Sequence, residues 1–246
     1  SSFMICTLTG LSEITLPKDL ETLGSSAFSG CTTLTSISVP ENISKIQDSM
    51  FDGCTSLVTV EMGDKVASIG NNAFNDCTAL KNITLSPVTE YIGSSAFSNC
   101  DSLESIVIPD KVTAIYSSAF SDCDKLSLVT LSKALERIGE SAFNNCDMLT
   151  SIKIPDSVKT IGYVDMSNGV SWLYSEAFRL CPALTKVVLS NNLTSIPEYA
   201  FADCVNLTDV TIYPGVTEIA TNAFSYASKV TMRGLKGSYA ETYAND

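Results

Sequence analysis

Phenylalanine recurs at residues 28, 51, 74, 97, 120, 143, 178, 201 and 224, a step of 23 residues broken once by a step of 35. Other apolar positions keep the same register. Five residues before the ring stands Leu or Ile, as in Leu23, Ile92 and Ile219. Six residues after it stands Leu, as in Leu34, Leu103 and Leu207, and Ile106 and Ile108 mark the ninth and eleventh places. A period of this length over nine copies demands a stack of similar coils. One coil cannot bury its apolar side alone, and its neighbour covers it.

Within one period the local signals are ordered. Leu103 to Ile108 alternates as a strand does, one face inward and one outward. Pro or Gly then ends it, as at Pro40, Gly63, Pro109 and Pro155. Val112 to Ile115 is a second short extended piece. Ser25, Asp48, Asn71, Ser94 or an equivalent follows, three residues before the ring. Such side chains favour helix N-caps, so the spacing predicts a short helix opening at Ala-Phe.

The pattern Ile92-Gly93-Ser94-Ser95-Ala96-Phe97-Ser98-Asn99-Cys100, continued through Ile106, Ile108, Pro109 and Val112, resembles the BspA-type leucine-rich repeat over nearly the whole chain. The resemblance implies an α/β repeat fold. It is a right-handed leucine-rich-repeat solenoid of 23-residue coils, with a parallel sheet on the concave side and short helices on the other. It also implies export to the surface of host-associated bacteria or some protozoa, with roles in attachment and recognition. It brings no shared catalytic residues. Residues 1–228 form the expected array, with a partial first repeat in which Ile5 and Leu8 take the Phe and Cys positions and Cys6 falls off-register. Residues 229–246 read as a C-terminal cap: Ser238 and Glu241 are spaced as a capping box, and Tyr239 and Tyr243 lie one turn apart. Related sequences often run on past this point, so a truncation at Asp246 is an expectation.

Eight of the nine cysteines stand three residues after a Phe of the repeat, one per coil. Zinc needs about four converging ligands, usually in close pairs, and here there is neither a CxxC pair nor a histidine. Thiols repeated in parallel coils point the same way, which disfavours disulfides. The expected role is a small, soft, buried filler. Without histidine no Ser-His or Cys-His pair exists, and no nucleophile elbow or P-loop appears. Asp101, Asp124 and Asp147 share one repeat position, and Asp76, Asp122 and Asp203 another. Calcium is conceivable there, but turn hydrogen bonding explains these residue types better. No catalytic residue, metal or cofactor is expected. A net charge of −12 and a pI near 4.4 argue against nucleic acid and anionic membrane. No run approaches the ~18 apolar residues of a membrane span.

What varies lies elsewhere. The outward strand positions run Ser36/Ser38, Thr59/Glu61, Asn82/Thr84, Ser105/Val107, Leu128/Thr130, Ser151/Lys153, Lys186/Val188 and Asp209/Thr211. The 35-residue step places an insertion at 162–174 that carries Tyr163, Asp165, Trp172 and the turn signal Asn168-Gly169. Such insertions leave as loops on one side, often the binding side. A tolerated loop whose rings lie back on the array is the competing reading, as a plain solvated sheet is for the strand face. The candidate ligand-binding set is Glu61, Asn82, Thr84, Ser105, Val107, Leu128, Thr130, Lys153, Lys186, Tyr163, Asp165 and Trp172. The expected molecule is a surface-exposed monomer that binds a host protein or glycan. The alternative is a spacer or display scaffold in a longer surface protein.

Overall fold

The computed structural model describes residues 10–165 and 172–245. Cys6, Ile5, Leu8 and the Asn168-Gly169 turn lie outside them.

The chain winds as a parallel β-solenoid. The first strands of the coils line up in one row, the first ladder, hydrogen-bonded as three parallel sheets: Glu13–Ile14, Ser36–Ser38, Thr59–Glu61 and Asn82–Ile83; then Ser105–Val107 and Leu128–Thr130; then Ser151–Lys153, Lys186–Val188, Asp209–Thr211 and Thr231–Arg233. Pairing is parallel and in repeat register, as in Ile37↔Val60 and Val187↔Val210. A second ladder holds the short pieces Lys45–Ile46, Ser68–Ile69, Tyr91–Ile92, Ala114–Ile115, Arg137–Ile138 and Thr160–Ile161. It resumes at Ser195–Ile196 and Glu218–Ile219.

The core follows from stacking identical positions. The nine Phe rings form one column, with centroids 5.1–5.4 Å apart and planes within 11° of parallel from Phe28 to Phe224. Each buried ring is worth about 2 kcal/mol in transfer free energy. The outgoing face of Phe224 is met by Tyr243, from the terminal helix Tyr239–Asn245, at 6.3 Å. The Tyr243 hydroxyl donates to the Thr221 carbonyl at 3.2 Å. The expected capping box does not close. Glu241 accepts from the Gly237 N–H at 2.6 Å rather than from Ser238, and the buried Ser238 hydroxyl has no partner among the described residues.

The short helix expected in each coil does not form. The Ala-Phe segment is a turn ribbon, and its backbone shows why. From Phe28 to Phe201 the residues two before and two after each ring adopt left-handed φ, as at Ser95 (52°) and Asn99 (56°), or Ser118 (56°) and Asp122 (58°). A left-handed residue on each side of the ring stops any run of helical residues. Alternate N–H groups then point to the next coil. Ser95, Phe97 and Asn99 donate to the carbonyls of Ser117, Ala119 and Ser121 at 2.8–2.9 Å. The intended caps also bond across coils rather than along a helix: Asn71 N–H donates to Asp48 Oδ1 at 3.0 Å, and Ser94 N–H to Asn71 Oδ1 at 2.9 Å. Ser, Asn, Asp and Gly serve left-handed turns and helix caps equally, so sequence alone points to either.

Candidate functional site

The outward strand residues form two parallel columns on the first ladder. Inward neighbours such as Ile106 and Val129 are buried, while Val107 is 65% and Leu128 59% exposed. Glu61, Asn82, Thr84, Thr130, Lys153 and Lys186 are also exposed, and Ser105 is half-buried. Register places Leu128 beside Ser105 and Val107 beside Thr130, so the two apolar side chains lie diagonally on adjacent strands. Lys186 is beside Ser151, and Lys153 beside Val188. The ladder therefore gathers nine of the twelve candidate residues on one surface.

The described arms of the insertion pair as a β-hairpin. Tyr163–Asp165 pairs antiparallel with Trp172–Tyr174, and Asp165 stands opposite Trp172. Gly162 starts it at φ +88°; a Cβ there would lie 2.3 Å from the Tyr174 carbonyl oxygen, so only glycine admits the departure. The hairpin leaves between the halves of the second ladder without disturbing the stack elsewhere. Phe143 N–H still donates to the Ala177 carbonyl at 2.8 Å, and Ser151 still pairs with Lys186. The Tyr163, Asp165 and Trp172 backbones are thus set apart from the strand face, on the second-ladder side.

At the hairpin base lies a cluster that the repeat pattern alone does not pick out. Tyr174 meets Tyr199 edge-on at 6.1 Å, and Arg179 lies 5.7 Å over the Tyr199 ring. Arg179 also pairs with Glu176 and, at 3.0 Å, with Asp203. Asp203 and then Glu176 hold the guanidinium protonated, raising its pKa. Partial burial and a hydrogen bond to Glu176 push the Tyr174 hydroxyl up to about 12. The signal available in sequence was that Arg179 and Leu180 depart from the Ser/Asn/Asp usage of the turn positions. A smaller group, Tyr91 edge-on to Tyr116 at 6.1 Å with Arg137 6.0 Å over Tyr116, lies along the second ladder.

Among the described residues the cysteines are packing groups with one exception. Cys54, Cys77, Cys100, Cys123, Cys146, Cys181 and Cys204 are buried and free. Cys31, at the head of the column, is disulfide-bonded, which corrects the expectation of packing alone for that residue. Burial pushes the Cys54 thiol up to about 12, and burial followed by neighbouring thiols raises Cys77, Cys100 and Cys123. The turn carboxylates are tied to neighbours: Asn99 Nδ2 donates to Asp76 at 2.8 Å and Asn145 Nδ2 to Asp122 at 2.9 Å. Burial and then Asp124 raise the Asp101 carboxyl. Among the described residues no three carboxylates or thiols converge as a metal site would need.

Stacked parallel coils of 23 residues with a leucine-bearing strand define a leucine-rich-repeat solenoid. The sequence profile of the BspA type Leucine rich repeat region matches over residues 1–127, 52–168 and 125–235, and the chain belongs to that family. A leucine-rich repeat protein of Bacteroides ovatus is 25% identical, with 87% of this chain and 70% of that one covered at a TM-score of 0.52. The T. pallidum Leucine Rich Repeat protein is 26% identical over 78% and 76%, at 0.51. The pneumococcal vaccine antigen PcpA shares the fold at 14% identity, over 85% and 64%, at 0.54. No curated protein matches the chain.

Proposed function

We propose that the chain is a non-enzymatic recognition module of a bacterial surface protein, exposed outside the cell, that binds a host protein or glycan. The outward face of the first ladder carries the contact, with the hairpin of Tyr163, Asp165 and Trp172 as a second contact. One observation carries this reading. Every coil repeats its buried residues, yet the face carries different residues from coil to coil and holds Val107 and Leu128 exposed near its centre. Packing does not require them there, and a large preformed solenoid face suits a macromolecular ligand. The acidic charge disfavours nucleic acid and anionic membrane. No helix among the described residues is long and apolar enough to cross a membrane. A monomer suffices for this function.

The test is binding to an array of host-matrix proteins and glycans by three proteins: wild type, Val107→Asp with Leu128→Asp, and a deletion of 163–174, which restores Ile161-Gly162-Ser175-Glu176-Ala177-Phe178 in register. Loss in either variant, with folding intact, supports the reading; unchanged binding in both removes this placement. The many Ser and Thr side chains on the face and the absence of Trp or Tyr anchors favour a second reading, a spacer or display scaffold. It expects no array signal above background for the wild type.

A further inference from the structure

The exposed charges on the first ladder are sorted along its length. Glu13 is on the first strand and Glu61 on the third. The fourth, fifth and sixth strands present no charge, only Asn82, Ser105, Val107, Leu128 and Thr130. Lys153 and Lys186 follow on the seventh and eighth. These two carboxylates and two amines are exposed and form no ion pair among the described residues, whereas Asp209 and Arg233 beyond them neutralise each other at 2.8 Å. Two lysines set diagonally on adjacent strands stand out in a chain of net charge −12. At the acidic end the small side chains of Ser36, Ser38 and Thr59 leave a depression of about 210 Å³ between Glu13 and Glu61.

We infer that this face takes an extended polypeptide segment of about eight residues with a basic end, an apolar middle and an acidic end. The inference rests on the recognition reading above and names its ligand class. Charge complementarity sets the two ends: Glu13 and Glu61 attract a cation, and Lys153 and Lys186 a carboxylate. Geometry sets the length. With strands ~4.8 Å apart, Lys186 lies ~24 Å from Glu61, the reach of about seven extended residues at ~3.3 Å each. Val107 and Leu128 fall ~10 and ~14 Å along that path, opposite the fourth and fifth residues.

The experiment uses four fluorescent octapeptides with blocked termini and reads fluorescence polarisation at low salt. They are Lys-Ser-Ser-Leu-Leu-Ser-Ser-Glu, the same peptide with Lys at both ends, the same with Glu at both ends, and one with Ser at both ends. The expected result is that the mixed-charge peptide binds the wild type about fivefold tighter than either like-charged one. Salt near 1 M should erase the difference. In the Lys153→Glu, Lys186→Glu variant the doubly basic peptide should bind best. Equal affinity of the three charged peptides for the wild type overturns the charge zoning alone, as does an unchanged order in the variant. No binding of any peptide, the uncharged one included, counts against recognition by this face as well. Sedimentation velocity of the protein alone should give a monomer. A dimer that the double variant dissolves would mean that a second copy covers the face, and would overturn the peptide as its occupant.

Discussion

The Cys54 thiol donates to the carbonyl oxygen of Phe28 in the preceding coil, Sγ to O 3.1 Å. The same contact recurs from Cys77 to Phe51, Cys100 to Phe74, Cys123 to Phe97, Cys146 to Phe120, Cys181 to Phe143 and Cys204 to Phe178, at 3.1–3.3 Å. In the first coil of the series the Phe28 carbonyl also accepts the Cys31 N–H, so the thiol fills the second lone pair of a buried oxygen. Cysteine suits the site because it is small and apolar yet can donate weakly.

Replacing Cys100 with Ala should therefore cost about 1–2 kcal/mol in urea unfolding, from a small cavity plus the lost donor. Cys100→Leu should cost more, because neighbouring coils leave no room for a longer side chain.

Thiol labelling separates the column from its first member. Iodoacetamide at neutral pH should leave Cys54 through Cys204 unmodified in the folded protein. Denatured without reductant, those seven should label and Cys31 should not. Reductant should then expose Cys31. Mass spectrometry of the peptides reads each step.

The raised thiols give the fold a pH limit on the alkaline side. Cys54 moves from an ordinary 9.0 to about 12, so the folded state keeps a proton that the unfolded chain gives up. Stability is intact below pH 9 and falls as pH rises from about 9 to 12, since the unfolded state binds fewer protons there. Melting temperature measured from pH 7 to 11 should be flat and then decline. A rise across that range would contradict the assignment.

The strands, the Phe column and the packing of most cysteines were legible because each depends on a repeated apolar position, and repetition amplifies a weak signal. The turn ribbon was not. Ser95 and Asn99 look like cap residues, and only the backbone reveals that both adopt left-handed φ. Nor does spacing separate Cys31 from its seven look-alikes, because all eight hold the same repeat position. The outward face was legible as a list of residues. Its charge order became visible only once the partial coils added Glu13 and Arg233 at the ends, and register placed Lys153 and Lys186 on adjacent strands.

Two turn positions break the rule of their column. Leu180 and Tyr226 hold φ of 57° and 63° where other coils use Gly, Asn or Asp. Leu180 is 40% exposed, so it gains little from burial. Leu180→Asn should stabilise by about 0.5–1 kcal/mol, seen as a raised urea midpoint, because Asn tolerates that conformation better. Conversely, Asn99→Val should destabilise by about 1–2 kcal/mol and forfeit the bond to Asp76.

The central claim is a division of labour, in which the repeated residues hold the coils and the outward strand residues are free to meet a ligand. Thermal unfolding of the Val107→Asp, Leu128→Asp variant tests it most directly. The account predicts a melting temperature within about 2 °C of wild type, because surface changes away from packing usually cost under ~0.5 kcal/mol. A fall as large as that caused by Phe97→Ala would mean that Val107 and Leu128 belong to the packing, and would contradict the claim.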